Sequence, residues 1–198
     1  MTKIVGITGG IGSGKTTLSN HLKKTGFLVH ESDTVVSKIY NKPKKTFLSF
    51  IKEKISKKAI KQNKVNKKEI TSVIFKNQKT KRVLEKYIHK EVRASREAFI
   101  QKNLKKKKKI IFADIPLLFE NKLEKSFDSV ICVISTKKNR TKRVLKNKKF
   151  TRKILNNIFK SQTSDKERRK RSQIIITNNK TKKDFIFNVE KALITLIK

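Results

Sequence analysis

The segment best equipped for chemistry is Gly9-Gly10-Ile11-Gly12-Ser13-Gly14-Lys15-Thr16. It fits the pattern G-x-x-x-x-G-K-[ST], and four of the chain's six glycines fall between positions 9 and 14. Glycines at 9, 12 and 14 let the backbone curl until successive N–H groups face inward, which makes a cage for phosphate oxygens. The donors such a curl offers belong to Gly9, Ile11, Gly12, Ser13, Gly14, Lys15, Thr16 and Thr17. A lysine in this place reaches the β- and γ-phosphates of a nucleoside triphosphate, and the hydroxyl after it, here Thr16, ligates Mg2+. A glycine-rich turn without a ligand is the alternative. The whole pattern has on the order of one chance in a hundred of arising at random in this length, so the nucleotide reading is preferred.

Two carboxylates occupy comparable places. Asp33 follows a short strand-like run, Phe27–His30, and Asp114 follows another, Ile110–Ala113. Residues just past the C-terminal ends of parallel strands converge on one crevice, where ligands sit. Each acid also has a plainer use. Asp33 suits the N-cap of a helix carrying Val35, Val36, Ile39 and Tyr40, and Asp114 suits a turn before Pro116. His21 and His30 have no supporting neighbours and read as structural.

The elements that must hold these residues alternate. Lys3–Thr8 reads as a buried strand opening into the glycine loop, and Thr16 to Thr25 as a helix stopped by Gly26. From Thr46 to about Asn103 only helical periodicity is found, the last stretch carrying Val83, Leu84, Tyr87, Ile88, Val92 and Phe99 as a stripe. The lysine run Lys105–Lys109 reads as a solvated connection. Then come a strand at Ser129–Ile134, a helix at Lys137–Lys146, and shorter helices at Phe150–Lys160 and Asp165–Arg171. Gln173–Ile176 is a last strand and Lys182–Ile197 a closing helix. Short apolar strands alternating with helices predict an α/β fold with a parallel sheet, interrupted by a helical insertion.

Composition bounds the partners. The 198 residues carry 53 Lys and Arg against 15 Asp and Glu, a formal net charge of +38. Such a surface binds polyanions weakly through counterion release. The lysines lie in every segment rather than on one face, which favours compositional drift over a dedicated nucleic-acid surface. With two Tyr and no Trp, stacking platforms for single strands are scarce. Cys132, the single cysteine, lies in the apolar run Val130–Ile134 and reads as a small core residue. No run approaches the ~18 apolar residues of a membrane span. The expectation is a cytoplasmic protein, monomeric or weakly self-associating, with no specific nucleic-acid partner and no membrane.

Beyond the loop, two segments carry a family likeness. Asp33 stands at the end of the second strand, and Asp114-Ile115-Pro116-Leu117-Leu118-Phe119-Glu120 leaves the third. Together with Thr8 to Thr16, these resemble the dephospho-CoA kinases, whose D-[IV]-P-L-L-[FW]-E segment is the most discriminating piece. The resemblance implies a P-loop NTPase-type parallel sheet flanked by helices, with a helical acceptor-binding insertion and a helical lid. It implies one kinase domain with a core at about 1–40, 108–138 and 172–198, an insertion at about 41–107 and a lid at about 139–171. The implied reaction is transfer of phosphate from ATP to the ribose 3′-hydroxyl of dephospho-CoA, with Mg2+. Lys15 and Arg143 would act on the phosphates, and Asp33 would accept or orient the hydroxyl proton. Asp114 would join Thr16 at the metal. His89, Leu117 and Glu120 would meet the acceptor, and Asn178 the nucleotide near its adenine.

The sequence departs from the family in three places. Lys90 replaces a proline after His89. The Arg-Asp pair expected four and five residues after Arg143 reads Asn147-Lys148, and an Ala-Asp before the last strand reads Ser172-Gln173. The lid arginine is missing from its place, so Lys146, Lys148, Lys149 or Arg152 would have to substitute. Slow turnover is expected rather than none. Rival readings are another small-acceptor P-loop kinase, for a nucleoside monophosphate or a shikimate-like alcohol, and a nucleotide-dependent RNA- or membrane-associated protein.

Overall fold

The computed structural model describes residues 2–147 and 150–197. In chain order the elements are β1 (Lys3–Gly9), α1 (Lys15–Lys24), β2 (Leu28–Glu31), α2 (Ser32–Asn41), α3 (Lys45–Lys54), β3 (Ile60–Lys61), β4 (Lys64–Val65), α4 (Lys67–Lys76) and α5 (Gln78–Lys105). They continue with β5 (Ile110–Asp114), β6 (Ser129–Ile134), α6 (Lys137–Lys146), α7 (Arg152–Ser161), α8 (Asp165–Lys170), β7 (Ile174–Thr177) and α9 (Lys182–Ile197).

Chain contacts divide the protein into two compact units. One comprises residues 1–31 and 102–198, and the other residues 32–101. In the first, five parallel strands run in the order β2-β5-β1-β6-β7. The central strands β5 and β6 are buried throughout, which is why their sequences, IIFAD and SVICVI, are almost continuously apolar. One side of the sheet packs Leu18, Leu22, Phe185, Val189 and Leu193 of α1 and α9 over Val5, Ile7, Ile131 and Val133. On the other side Ala113, Ile115, Leu118 and Phe119 pack with Val130, Cys132 and Ile134. Cys132 is fully buried, as its apolar setting predicts, and burial raises its thiol to about 11.

The second unit is helical. Phe47, Ile51, Ile70, Leu84 and Ile88 form its core, with Val36, Ile39 and Tyr40 packed against them. Those three contacts tie α2 to the helices, so the boundary falls at Ser32 rather than near residue 41. The expectation of helix alone from Thr46 to Asn103 is corrected by a small antiparallel hairpin, β3 against β4. Gln62 and Asn63 turn it with φ of 49° and 57°. Strands of two residues leave no period to detect, although an asparagine tolerating positive φ was a usable sign.

Candidate active site

β1 delivers its last residue, Gly9, from between β5 and β6, and α1 starts six residues later at Lys15. The turn requires left-handed backbone at two points, Gly12 with φ 74° and Gly14 with φ 111°. Any Cβ at these positions would be strained, and at Gly12 it would lie 2.8 Å from the Arg140 carbonyl oxygen. Gly14 caps α1 without a side chain, so the first N–H groups of the helix find no carbonyl within it. A helix start of this kind attracts anions.

Lys15 Nζ donates to Asp114 Oδ1 at 2.5 Å, and Ser19 Oγ donates to Asp114 Oδ2 at 2.7 Å. Asp114 ends β5 and is 5 % exposed, so both its oxygens are spoken for in a buried setting. Lys15 and Ser19 are four residues apart and therefore share a face of α1. Ser19 was not singled out from sequence, although that spacing was a sign. Thr16 lies exposed at the helix start, with Thr17 partly covered.

Side chains from elsewhere hold the outside of the loop. Arg140 Nε donates to the Ile11 carbonyl at 2.9 Å, and Arg143 Nη1 to the Gly12 carbonyl at 3.3 Å. Asn178 Nδ2 donates to the Ser13 carbonyl at 2.7 Å. Arg143 further donates to Ser135 Oγ and to the Asn178 carbonyl and side-chain oxygens. The sequence placed Arg143 on transferring phosphoryl oxygens. Its guanidinium here grips protein carbonyls behind the loop. Asn178, 8 % exposed, is likewise engaged with the loop itself.

The lid segment adds a second bracket. Gln162 Oε1 accepts the Ile11 N–H at 3.1 Å. Asp165 accepts from Arg140 Nη1 at 3.2 Å and from Arg168 Nη1 at 2.8 Å. Both guanidinium groups press on Gly10, where a Cβ would lie 2.8 Å from Arg168 Nη1. Burial lowers the Arg140 guanidinium from its ordinary value, with Asp165 pulling the other way. Glu120, expected on the acceptor, accepts the Thr163 N–H at 2.8 Å and lies 3.6 Å from Arg168 Nη2. It therefore braces the turn after β5 to the lid. Gln173 Oε1 accepts the Val130 N–H at 2.8 Å, and Ser172 Oγ donates to the Arg168 carbonyl. Asn147 closes α6. Lys148 and Lys149 lie outside the described residues, whereas Lys146 and Arg152 are exposed.

Asp33 lies in the first turn of α2, in the helical unit, and is exposed. It comes two residues after Glu31, which is level with Asp114 in the β2–β5 register. Within the helical unit, α2 and α5 border a groove of about 450 Å3. Val35, Ile39, Phe47 and Tyr87 supply apolar walls, and Lys38 and Lys42 add positive charge. His89 is exposed on α5 and does not line the groove. Leu117 is 41 % exposed in the turn after β5.

A parallel sheet in this strand order, with a glycine loop, its lysine and a strand-end aspartate at one edge, defines a P-loop kinase fold. The family model described as dephospho-CoA kinase matches residues 3–184. A dephospho-CoA kinase of Fusobacterium nucleatum is 34 % identical over 191 residues, covering 95 % of each chain. One from Bartonella quintana is 32 % identical and covers 90 % of each. Among solved structures, a dephospho-CoA kinase from Campylobacter jejuni superposes with a TM-score of 0.75 at 24 % identity, over 99 % of this chain and 98 % of that one. This chain belongs to the dephospho-CoA kinase family.

Proposed function

We propose that the protein transfers the γ-phosphate of ATP to the ribose 3′-hydroxyl of dephospho-CoA, giving coenzyme A and ADP in the last step of coenzyme A biosynthesis. The observation that carries this is the pairing of Lys15 with the buried Asp114 at a glycine loop whose carbonyls are held from outside. The Ile11 N–H is taken by Gln162 and the Ser13 N–H by the Gly10 carbonyl, contrary to their expected place on phosphate, so the oxygens fall to the amides of Gly12, Gly14, Lys15 and Thr16. Lys15 exchanges Asp114 for the β- and γ-phosphates, and the loop amides take the oxygens between. Little covalent chemistry is asked of the protein, so positioning and charge stabilisation carry the rate.

Asp114 and Thr16 suit Mg2+, which keeps several waters and takes much of its shell from phosphates. The ion supplies charge neutralisation on the phosphates. Asp33 accepts the 3′-hydroxyl proton or orients that hydroxyl toward phosphorus. The acceptor's long arm takes the groove of the helical unit, with His89 and Leu117 as further contacts. Glu120 serves the acceptor only indirectly, through the lid. With Arg143 committed to the loop, the cation on the transferring group comes from Lys146, Lys148, Lys149 or Arg152.

The test is an acceptor panel with purified protein, ATP and Mg2+, read by mass spectrometry. Dephospho-CoA should gain one phosphate, and nucleoside monophosphates and shikimate none. Phosphorylation of either alternative in preference to dephospho-CoA would refute the assignment. Ala94→Trp, which fills the groove wall, should raise KM for dephospho-CoA about tenfold and leave that for ATP unchanged.

A further inference from the structure

Asn178 follows β7 and joins the Ser13 carbonyl to the Arg143 guanidinium through one amide head, by a contact much shorter than the 3.5 Å at which Arg143 Nη1 reaches that carbonyl directly. Its Oδ1 accepts from Arg143 Nη2 at 3.1 Å while its Nδ2 donates to Ser13 O at 2.7 Å. The orientation of that amide is forced. A guanidinium only donates and a carbonyl only accepts, so the group between them must accept on one side and donate on the other. Among side chains of this length only asparagine does both from one planar head. Aspartate cannot donate, and an aliphatic residue does neither.

The backbone of residue 178 is fixed as well. Its N–H donates to the Ile134 carbonyl at 2.9 Å, and its own carbonyl accepts from Ser135 Oγ at 2.7 Å and from Arg143 Nη2 at 2.9 Å. The side chain therefore projects from a point anchored to the ends of β6 and β7. On its other side it meets the loop so closely that a Cβ on Gly14 would collide with its amide nitrogen. The Ser13 carbonyl and the Gly14 N–H belong to one planar trans peptide, so pulling that carbonyl outward turns the Gly14 N–H inward.

We propose that Asn178 is a positioning residue for the phosphate loop: together with Arg143 it holds the Ser13 carbonyl outward, sets the aim of the Gly14 amide beside Lys15, and makes no contact with the base. This rests on reading the loop as a triphosphate site. Its consequence is that Asn178 governs affinity for the triphosphate whatever is attached to it. A residue touching adenine would instead govern affinity for ATP alone.

The experiment measures dissociation constants of ATP, GTP and inorganic tripolyphosphate for the parent, Asn178→Asp and Asn178→Ala, with melting temperature and steady-state kinetics alongside. Both variants should weaken all three ligands by a common factor of about tenfold or more. The neutral alanine variant shows that this is not repulsion by an added carboxylate. KM for ATP should rise by a similar factor, with kcat at saturating ATP within about threefold and KM for dephospho-CoA unchanged. Loss confined to ATP, or unchanged binding of tripolyphosphate, would overturn the proposal. So would failure of both variants to fold, since Asn178 would then be a framework residue. A parent that binds no triphosphate would refute the site itself, a separate outcome from a parent and variants that bind alike.

Discussion

The phosphate loop and the helical groove are built on opposite principles. At the loop, polar groups are fixed by long-range partners. Carbonyls 11, 12 and 13 are held by Arg140, Arg143 and Asn178, and Lys15 rests on a buried carboxylate. In the helical unit, shape comes from apolar contact. Phe50 and Tyr87 stack at 4.2 Å between ring centres, Tyr40 meets Phe47 edge-on at 5.5 Å, and the groove beside them is rimmed by mobile-stemmed lysines. A donor whose terminal phosphate must be aimed needs directional contacts preset before it binds. A long flexible acceptor arm needs room and apolar surface, with direction supplied only at its reacting hydroxyl.

Substitutions should separate these two modes. The largest effect is expected from Lys15→Ala, which should lower kcat/KM for coenzyme A formation by roughly a thousandfold or more, since it removes the charge on the transferring group. Asp33→Asn should cost about a hundred- to a thousandfold in kcat while ATP binding, measured by calorimetry, stays as in the parent. Phe47→Ala should remove about 3–5 kcal/mol from the stability of the helical unit. Hydrogen exchange should then rise across residues 32–101 and not around the loop, and equal loosening of both would break the distinction drawn here.

Cys132 lies in the core of the sheet unit and its thiol is raised from 9.0 to about 11 by burial. Its thiolate fraction near neutrality is roughly a hundredfold below that of an ordinary thiol, before access is considered. A disulfide reagent should therefore leave it untouched until denaturant is added. The smallest effect concerns Glu124, which pairs with Arg171. Burial pushes the Glu124 carboxyl up, but the Arg171 hydrogen bond and charge outweigh it, and the group ends below its ordinary 4.5. A carboxylate lowered on folding adds stability above its unfolded value and loses it as pH falls through the folded one. Glu124→Gln should thus cost about 0.5 kcal/mol at neutral pH and flatten the acid limb of the stability curve below about pH 4.5.

Much of the donor end was legible because it is local. The glycine loop, the flanking strand and helix, and the acids after Ile110–Ala113 and Phe27–His30 are each read within a few residues. Ser129–Ile134, Lys137–Lys146 and Lys182–Ile197 have the bounds expected from their apolar spacing. What stayed hidden is long-range. Arg143 meets Gly12 across 131 positions and Gln162 meets Ile11 across 151, and no periodicity encodes such a pair. Glu120 looked like a ligand because it ends a distinctive motif, yet its partner, Thr163, is 43 residues on. The hairpin at Ile60–Val65 was hidden for the opposite reason, being too short to carry a pattern.

The most direct test of the account follows labelled γ-phosphate from ATP into dephospho-CoA, with the parent and Lys15→Ala side by side. The parent should place one labelled phosphate on the ribose 3′-oxygen for each ADP released, and the variant should do so at least a thousandfold more slowly. Label absent from the 3′-position in the parent, or transferred equally fast by both proteins, would contradict it.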